Sequence, residues 1–338
     1  MRVSMLACVL ALWGHQAHAA AQEQPVEPAN EAGQVRDMAP IVATGVQPGP
    51  GMWKVHGPGG HVLWVLGTVS PLPGGLEWKS DDVEAVIARA GVVLGPPLLQ
   101  VNADVGFFSG MALLPAALRA RRNPDGAELE DLLSGTQYAR WTALKDQYLG
   151  WELGIERWRP MFAAEKLFNA ALDEHAMQRG VVDQVIAKAA HAAGREVTPV
   201  ALKLTVDDPR GLLKDMSQAD LGDVACLDDT MTTIEQHIPV LVARANAWAT
   251  GDTGALAQLP GADAEGDCLM ALFDTAFVED QGVGDIPRQM QDVWVEAAEG
   301  ALADHDTSFA MVSMDSLLGT DGYLAALAQR GHRVEAPD

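Results

Sequence analysis

The chain has 338 residues, 48% of them hydrophobic, with 23 basic and 46 acidic side chains and a net charge of −23. That balance argues against nucleic acid and anionic membrane surfaces as partners, because both call for positive patches. Apart from a short leader, no stretch reaches the roughly 18 uncharged apolar residues of a membrane span, so a soluble mature protein is expected.

The leader comes first. Arg2 is the only charge before Ala20, an apolar stretch runs from Met5 to Trp13, and Ala17-His18-Ala19 has the small-x-small pattern of a cleavage site. Residues 1–19 therefore read as a signal peptide cut near Ala19, which predicts a periplasmic or secreted protein. Residues 20–48, rich in Ala, Gln, Glu and Pro without periodicity, read as a flexible linker. Residues 49–338 form the folded domain. It keeps two cysteines, Cys226 and Cys268, and an even pair in an exported chain reads as one disulfide. Closing that loop stabilises by about 4 kcal/mol in the chain-entropy picture.

Met52 to His56 and His61 to Thr68 are β-prone runs joined by the turn Gly57-Pro58-Gly59-Gly60. Val62 to Leu66 is all apolar, as in a strand covered on both faces. Ser80 to Ala90 predicts a helix with Ser80 as N-cap and acids in its first turn. Gly91 to Leu94 predicts a second buried strand, so this unit reads as a parallel pair with a helical crossover. From about 106 to 258 the pattern is mainly helical: Ala112 to Arg122, Tyr138 to Leu149, Pro160 to Met177, Val181 to Ala193 and residues 208–258. A short strand, Glu196 to Val200, interrupts it. Pro287 to Ala303 is a last long helix before the strand Ser308 to Met314. The helix Asp321 to Gln329 and the strand His332 to Ala336 close the chain. The expected fold is α/β: a mixed β-sheet flanked by helices, with a large helical insertion at about 106–258.

Nucleophile elbows, phosphate loops, dinucleotide fingerprints and paired-histidine zinc motifs are absent from the sequence. His56 and His61 flank one hairpin and face each other only as a weak two-ligand site; a solvated pair is the better reading. Tyr138, Trp141, Tyr148, Trp151 and Trp158 offer a sugar-stacking series, but helical spacing favours buried core. Arg119, Arg121 and Arg122 fall at a helix end, where the dipole favours cations without any ligand.

Two strand ends are more informative. Trp64 to Leu66 leads into Gly67-Thr68-Val69-Ser70-Pro71-Leu72-Pro73, and Phe309 to Val312 leads into Ser313-Met314-Asp315-Ser316. Open α/β sheets bind ligands at such carboxyl ends. With Trp158-Arg159-Pro160, Gly180-Val181-Val182-Asp183 and Trp248-Ala249-Thr250-Gly251-Asp252, these segments resemble the TraB/GumN family, related to the TIKI metalloproteases, over about residues 52–338.

The resemblance implies two G-x-x-H motifs, one after each of these strands. Here they read Gly67-Thr68-Val69-Ser70 and Ser313-Met314-Asp315-Ser316, with serine in both histidine places. The acids the family tends to place after two other strands are also missing, at Leu94-Gly95-Pro96-Pro97 and Val200-Ala201-Leu202. A metal that activates water takes several imidazole or carboxylate ligands at one point, and neutral hydroxyls do not replace them. Asp315, the only carboxylate left inside a motif, is a weak metal candidate, and Glu77 lies in the loop after the first motif. The expectation is a catalytically degenerate member that needs no cofactor and binds a periplasmic protein, peptide or glycan. The alternative is a metal-dependent (Mn, Co or Zn) hydrolase or peptidase with a rearranged site, using Ser70, Glu77, Asp315 and Ser316.

Overall fold

A computed structural model describes residues 49–103, 107–152, 154–261 and 282–337, together with Cys268, Leu272, Thr275 and Val278. The predicted leader 1–19 and linker 20–48 lie outside the described residues.

The first hairpin forms as its alternation dictates. Strand β1 (Met52–His56) buries every second residue and pairs antiparallel with β2 (Val62–Thr68), from Met52↔Leu66 to His56↔Val62. Helix α1 (Asp81–Arg89) buries Val83, Val86 and Ile87, an i, i+3, i+4 stripe. Ser80 precedes it but is not a side-chain cap; its hydroxyl donates to Glu84 Oε1 at 2.6 Å.

Strand β4 (Val93–Ala103) is longer than the four residues expected, and β6 (Val197–Val206) outruns its predicted end at Val200. Gly95-Pro96-Pro97 reads as a stop, because proline cannot donate to a ladder. The chain passes it with a register shift between Leu94 and Pro97 and then resumes parallel pairing with β6 to Ala103↔Val206. A short antiparallel pair, β3 (Leu72–Pro73) with β5 (Met177–Gln178), was not foreseen.

The main sheet has the order β6-β4-β7-β2-β1-β8, where β7 is Thr307–Ser313 and β8 is Arg333–Glu335. Its four strands β6, β4, β7 and β2 are parallel, whereas β1 runs antiparallel to both β2 and β8. The predicted β2–β4 pair is corrected here: the two are parallel, but β7 lies between them. The late strand is the most buried of all, with Ser308 to Val312 inaccessible, as a strand inserted into the middle of a sheet must be.

The helices are α2 (Phe107–Ala120), α3 (Leu129–Leu132), α4 (Gly135–Tyr148), α5 (Pro160–Glu174), α6 (Val181–Ala192), α7 (Pro209–Met216), α8 (Asp223–Thr232), α9 (Leu241–Ala249) and α10 (Thr253–Leu256). After them come α11 (Ile286–Asp304), α12 (Met314–Leu318) and α13 (Tyr323–Gln329). Two apolar cores result. One packs α1, α6, α9, α11 and α13 on the sheet, and the other joins α3, α4, α5, α8 and the start of α9.

In the second core Trp141 is fully buried and Tyr138, Tyr148 and Trp158 pack at its edge, so the aromatic series is core; Trp151, 96% exposed, is the exception. Burial raises the Tyr138 and Tyr148 phenols above their usual range. Cys226 and Cys268 form the expected disulfide and tether α8.

Candidate functional site

Strands β2 and β7 are parallel neighbours in register, with Gly67 opposite Val312 and Thr68 opposite Ser313. The two motifs, some 245 residues apart in sequence, therefore leave the sheet side by side at its carboxyl edge. Thr68 Oγ1 donates to the Val312 carbonyl at 3.3 Å and ties the two ends together.

Gly67 is set by a close approach. A Cβ there would lie 2.6 Å from Met314 Cε and 2.8 Å from its Sδ, so glycine leaves room for the Met314 side chain of α12 against β2. Trp248 of α9, fully buried, donates its indole N–H to the Gly67 carbonyl at 2.7 Å. Trp78 meets Trp248 edge-on, with ring centroids 5.1 Å apart.

The expected polar residues divide by role. Ser313 is the N-cap of α12: its oxygen accepts from the Ser316 N–H at 3.2 Å, and its hydroxyl donates to Ser316 Oγ at 2.8 Å. Ser70 stands exposed after β2, joined to Pro71 by a cis peptide bond. Glu77 is exposed in the loop that follows. Neither Ser70 nor Glu77 has a side-chain hydrogen bond or ion-pair partner among the described residues.

Asp315 has a partner that sequence reading missed. Arg244 on α9 donates from one terminal nitrogen to Asp315 Oδ1 at 2.5 Å and from the other to the Leu259 carbonyl at 3.1 Å. The Arg244 side chain is 4% exposed and the Asp315 side chain 59% exposed. The pair is a buried guanidinium under an open carboxylate. Arg244 and Trp248 are four residues apart, hence on one face of α9. That spacing, ahead of the Trp248-to-Asp252 segment, was the available signal.

Asp315 is thus engaged by a cation, and serines stand where the resemblance places histidines. Among the described residues no three His, Cys, Asp or Glu side chains gather in a group able to hold a metal ion. The donor set does not fit a water-activating metal centre. The two segments expected at other strand ends lie inside β4 and β6 and bring no acid: the Gly95 carbonyl accepts from the Trp294 indole at 3.3 Å, and Val200 is buried.

The remaining candidates resolve into structural roles. His56 and His61 do not face each other; His56 bonds Glu335 at 3.1 Å, while His61 bonds the Leu302 carbonyl at 2.7 Å. Hydrogen bonds, first from Lys54 and then from His56, pull the Glu335 carboxyl below its usual range. The Arg121 guanidinium lies 3.3 Å from the centroid of the Trp158 ring, and Arg119 donates to the Pro115 carbonyl in the last turn of α2. Arg159, which opens α5, makes a buried fork with Asp223 at 2.6 and 3.1 Å and also donates to the Met216 and Ala219 carbonyls.

The fold and these paired strand ends define an α/β protein with two polar turns side by side at the carboxyl edge of a mostly parallel sheet. A family model for the TraB/PrgY/gumN family matches residues 51–336, and the chain belongs to that family. No curated protein and no solved structure matches it.

Proposed function

We propose that this chain is an exported TraB/PrgY/gumN member that has given up metal-dependent hydrolysis and binds a periplasmic partner, a peptide or a glycan, at the two motif turns on the carboxyl edge of the sheet. One observation carries the reading: Asp315, the only carboxylate inside either motif, is held by the buried guanidinium of Arg244. A carboxylate so paired has its charge already answered, and the serines around it bring none. The Cys226–Cys268 disulfide supports export, since such bonds persist in oxidising compartments. Ser70 and Ser316 of the two motifs and Glu77 of the following loop are exposed, and hydroxyls and carboxylates suit hydrogen bonding to peptide amides or sugar hydroxyls.

A thermal-shift series with Mn²⁺, Co²⁺, Zn²⁺ and Mg²⁺ tests this, because a ligand bound only by the folded state raises Tm. The expected result is no shift with any of the four ions. A rise that Asp315→Ala abolishes would restore the hydrolase reading and make Asp315 a metal ligand.

A further inference from the structure

The strands β4 and β6 do not end with the sheet. Strand β4 pairs with β7 at Val93↔Phe309 and Leu94↔Ala310, and β7 stops at Ser313. Pairing between β4 and β6 continues to Ala103↔Val206. The ribbon therefore runs about six residues past its neighbour, roughly 20 Å at the rise of a strand. It leads on one side to α2 and on the other to α7, and these helices pack on each other. Helix α7 buries no residue.

This arm carries large apolar side chains that stand exposed among the described residues. Met111, Leu114 and Leu118, on one face of α2, are 62%, 59% and 54% exposed, and Leu98 and Val101 of the ribbon are exposed too. Spacing of three and four residues makes the α2 residues a single stripe. Large apolar side chains exposed together mark an interaction surface, whereas single ones need no explanation.

The arm also inverts the charge of the molecule. Residues 93–122 and 197–217 hold six of the 23 basic residues but only four of the 46 acidic ones. Arg119 of α2 and Arg210 and Lys214 of α7 line one open cleft of about 410 Å³ between the helices. None of the three has an ion-pair partner among the described residues. The net charge of the whole chain conceals this segregation, and the exclusion of anionic surfaces drawn from it holds for the body, not for the arm.

We propose that this arm docks on a phospholipid bilayer that contains anionic headgroups. The α2 stripe enters the interface, and Arg119, Arg210 and Lys214 take the phosphates. A helix with an apolar stripe and flanking cations binds that boundary by burial and by attraction together. The acidic body is repelled by the same surface, which orients the arm toward it. A second copy fits worse: an isologous contact would set these three cations against their own twins. The parallel ribbon projects from the same edge as the two motif turns, so docking would bring those turns close to the membrane.

The test is sedimentation of the full chain with phosphatidylcholine vesicles, with and without phosphatidylglycerol, at low and high salt. Binding is expected with phosphatidylglycerol, weakening in high salt. Met111→Glu/Leu114→Glu/Leu118→Glu should abolish it. Arg210→Gln/Lys214→Gln should weaken it roughly 25-fold, at about fivefold per cation. Failure of the wild-type chain to bind at low salt overturns the proposal. So does binding that both variants retain, which would belong to the apolar N-terminal stretch. So does a dimer in sedimentation velocity that the Leu substitutions dissolve while vesicles stay unbound.

Discussion

Among the described residues two arginines are buried, each paired with an aspartate, and they differ in one respect. In the helical half Arg159 and Asp223 are both buried, with side chains 4% and 7% exposed, and two carbonyls complete the arginine's fork. At the carboxyl edge of the sheet Arg244 is as deeply buried, but Asp315 opens to solvent. The first pair is closed on itself and fixes where α5 meets α8. The second is closed at the arginine and open to solvent at the aspartate. Burial of both partners marks a structural bond; burial of one marks a positioned group.

The largest expected effect breaks the closed pair. Asp223→Ala leaves an uncompensated guanidinium in the helical core, and unfolding in urea should show a loss of about 3–5 kcal/mol. A loss under 1 kcal/mol would mean that water reaches Arg159 and that the two pairs are alike.

An intermediate effect lies in the sheet half. Tyr323 packs edge-on against Trp294, and desolvation pushes its phenol up to about 12. Its folded pKa is raised, so its contribution is full below pH 10 and is lost as pH rises from about 10 to about 12. Stability should fall by about 2–3 kcal/mol across that window. Tyr323→Phe should flatten the curve there, and a variant as pH-sensitive as the parent would assign the loss elsewhere.

The smallest effect sharpens the contrast. Asp315→Ala should cost about 1–2 kcal/mol, because the vacated, open position admits water to Arg244. If Asp315→Ala destabilises as much as Asp223→Ala, the open pair is a structural bond after all. Calorimetry of both variants under one condition decides it.

Much of the scaffold was legible because it repeats locally. The apolar stripes of α1, α5 and α11 and the alternation of β1 follow from spacing within one element. Both motif turns were also legible as strand ends with polar residues. The long β4 was not, because Pro96 and Pro97 carry the local sign of a stop, and only the β6 partner keeps the chain extended beyond them. Arg244 was passed over for a related reason: nothing in its neighbourhood on α9 says that its partner stands 71 residues away.

By itself the sequence determined the longer helices, the first hairpin, the cysteine pair and the family resemblance, because each depends on residue order or period within a short span; the short α3 and α12 escaped it. It also determined that serines occupy Ser70 and Ser316. Tertiary structure alone decided that β7 enters between β2 and β4, that the two motifs lie side by side and that Asp315 is answered by Arg244. It alone gathered the scattered cations on an apolar arm. These are contacts between residues far apart in the chain, and long-range pairing leaves no periodic trace in sequence; it is chosen when the packed sheet and its helices bury their apolar faces together.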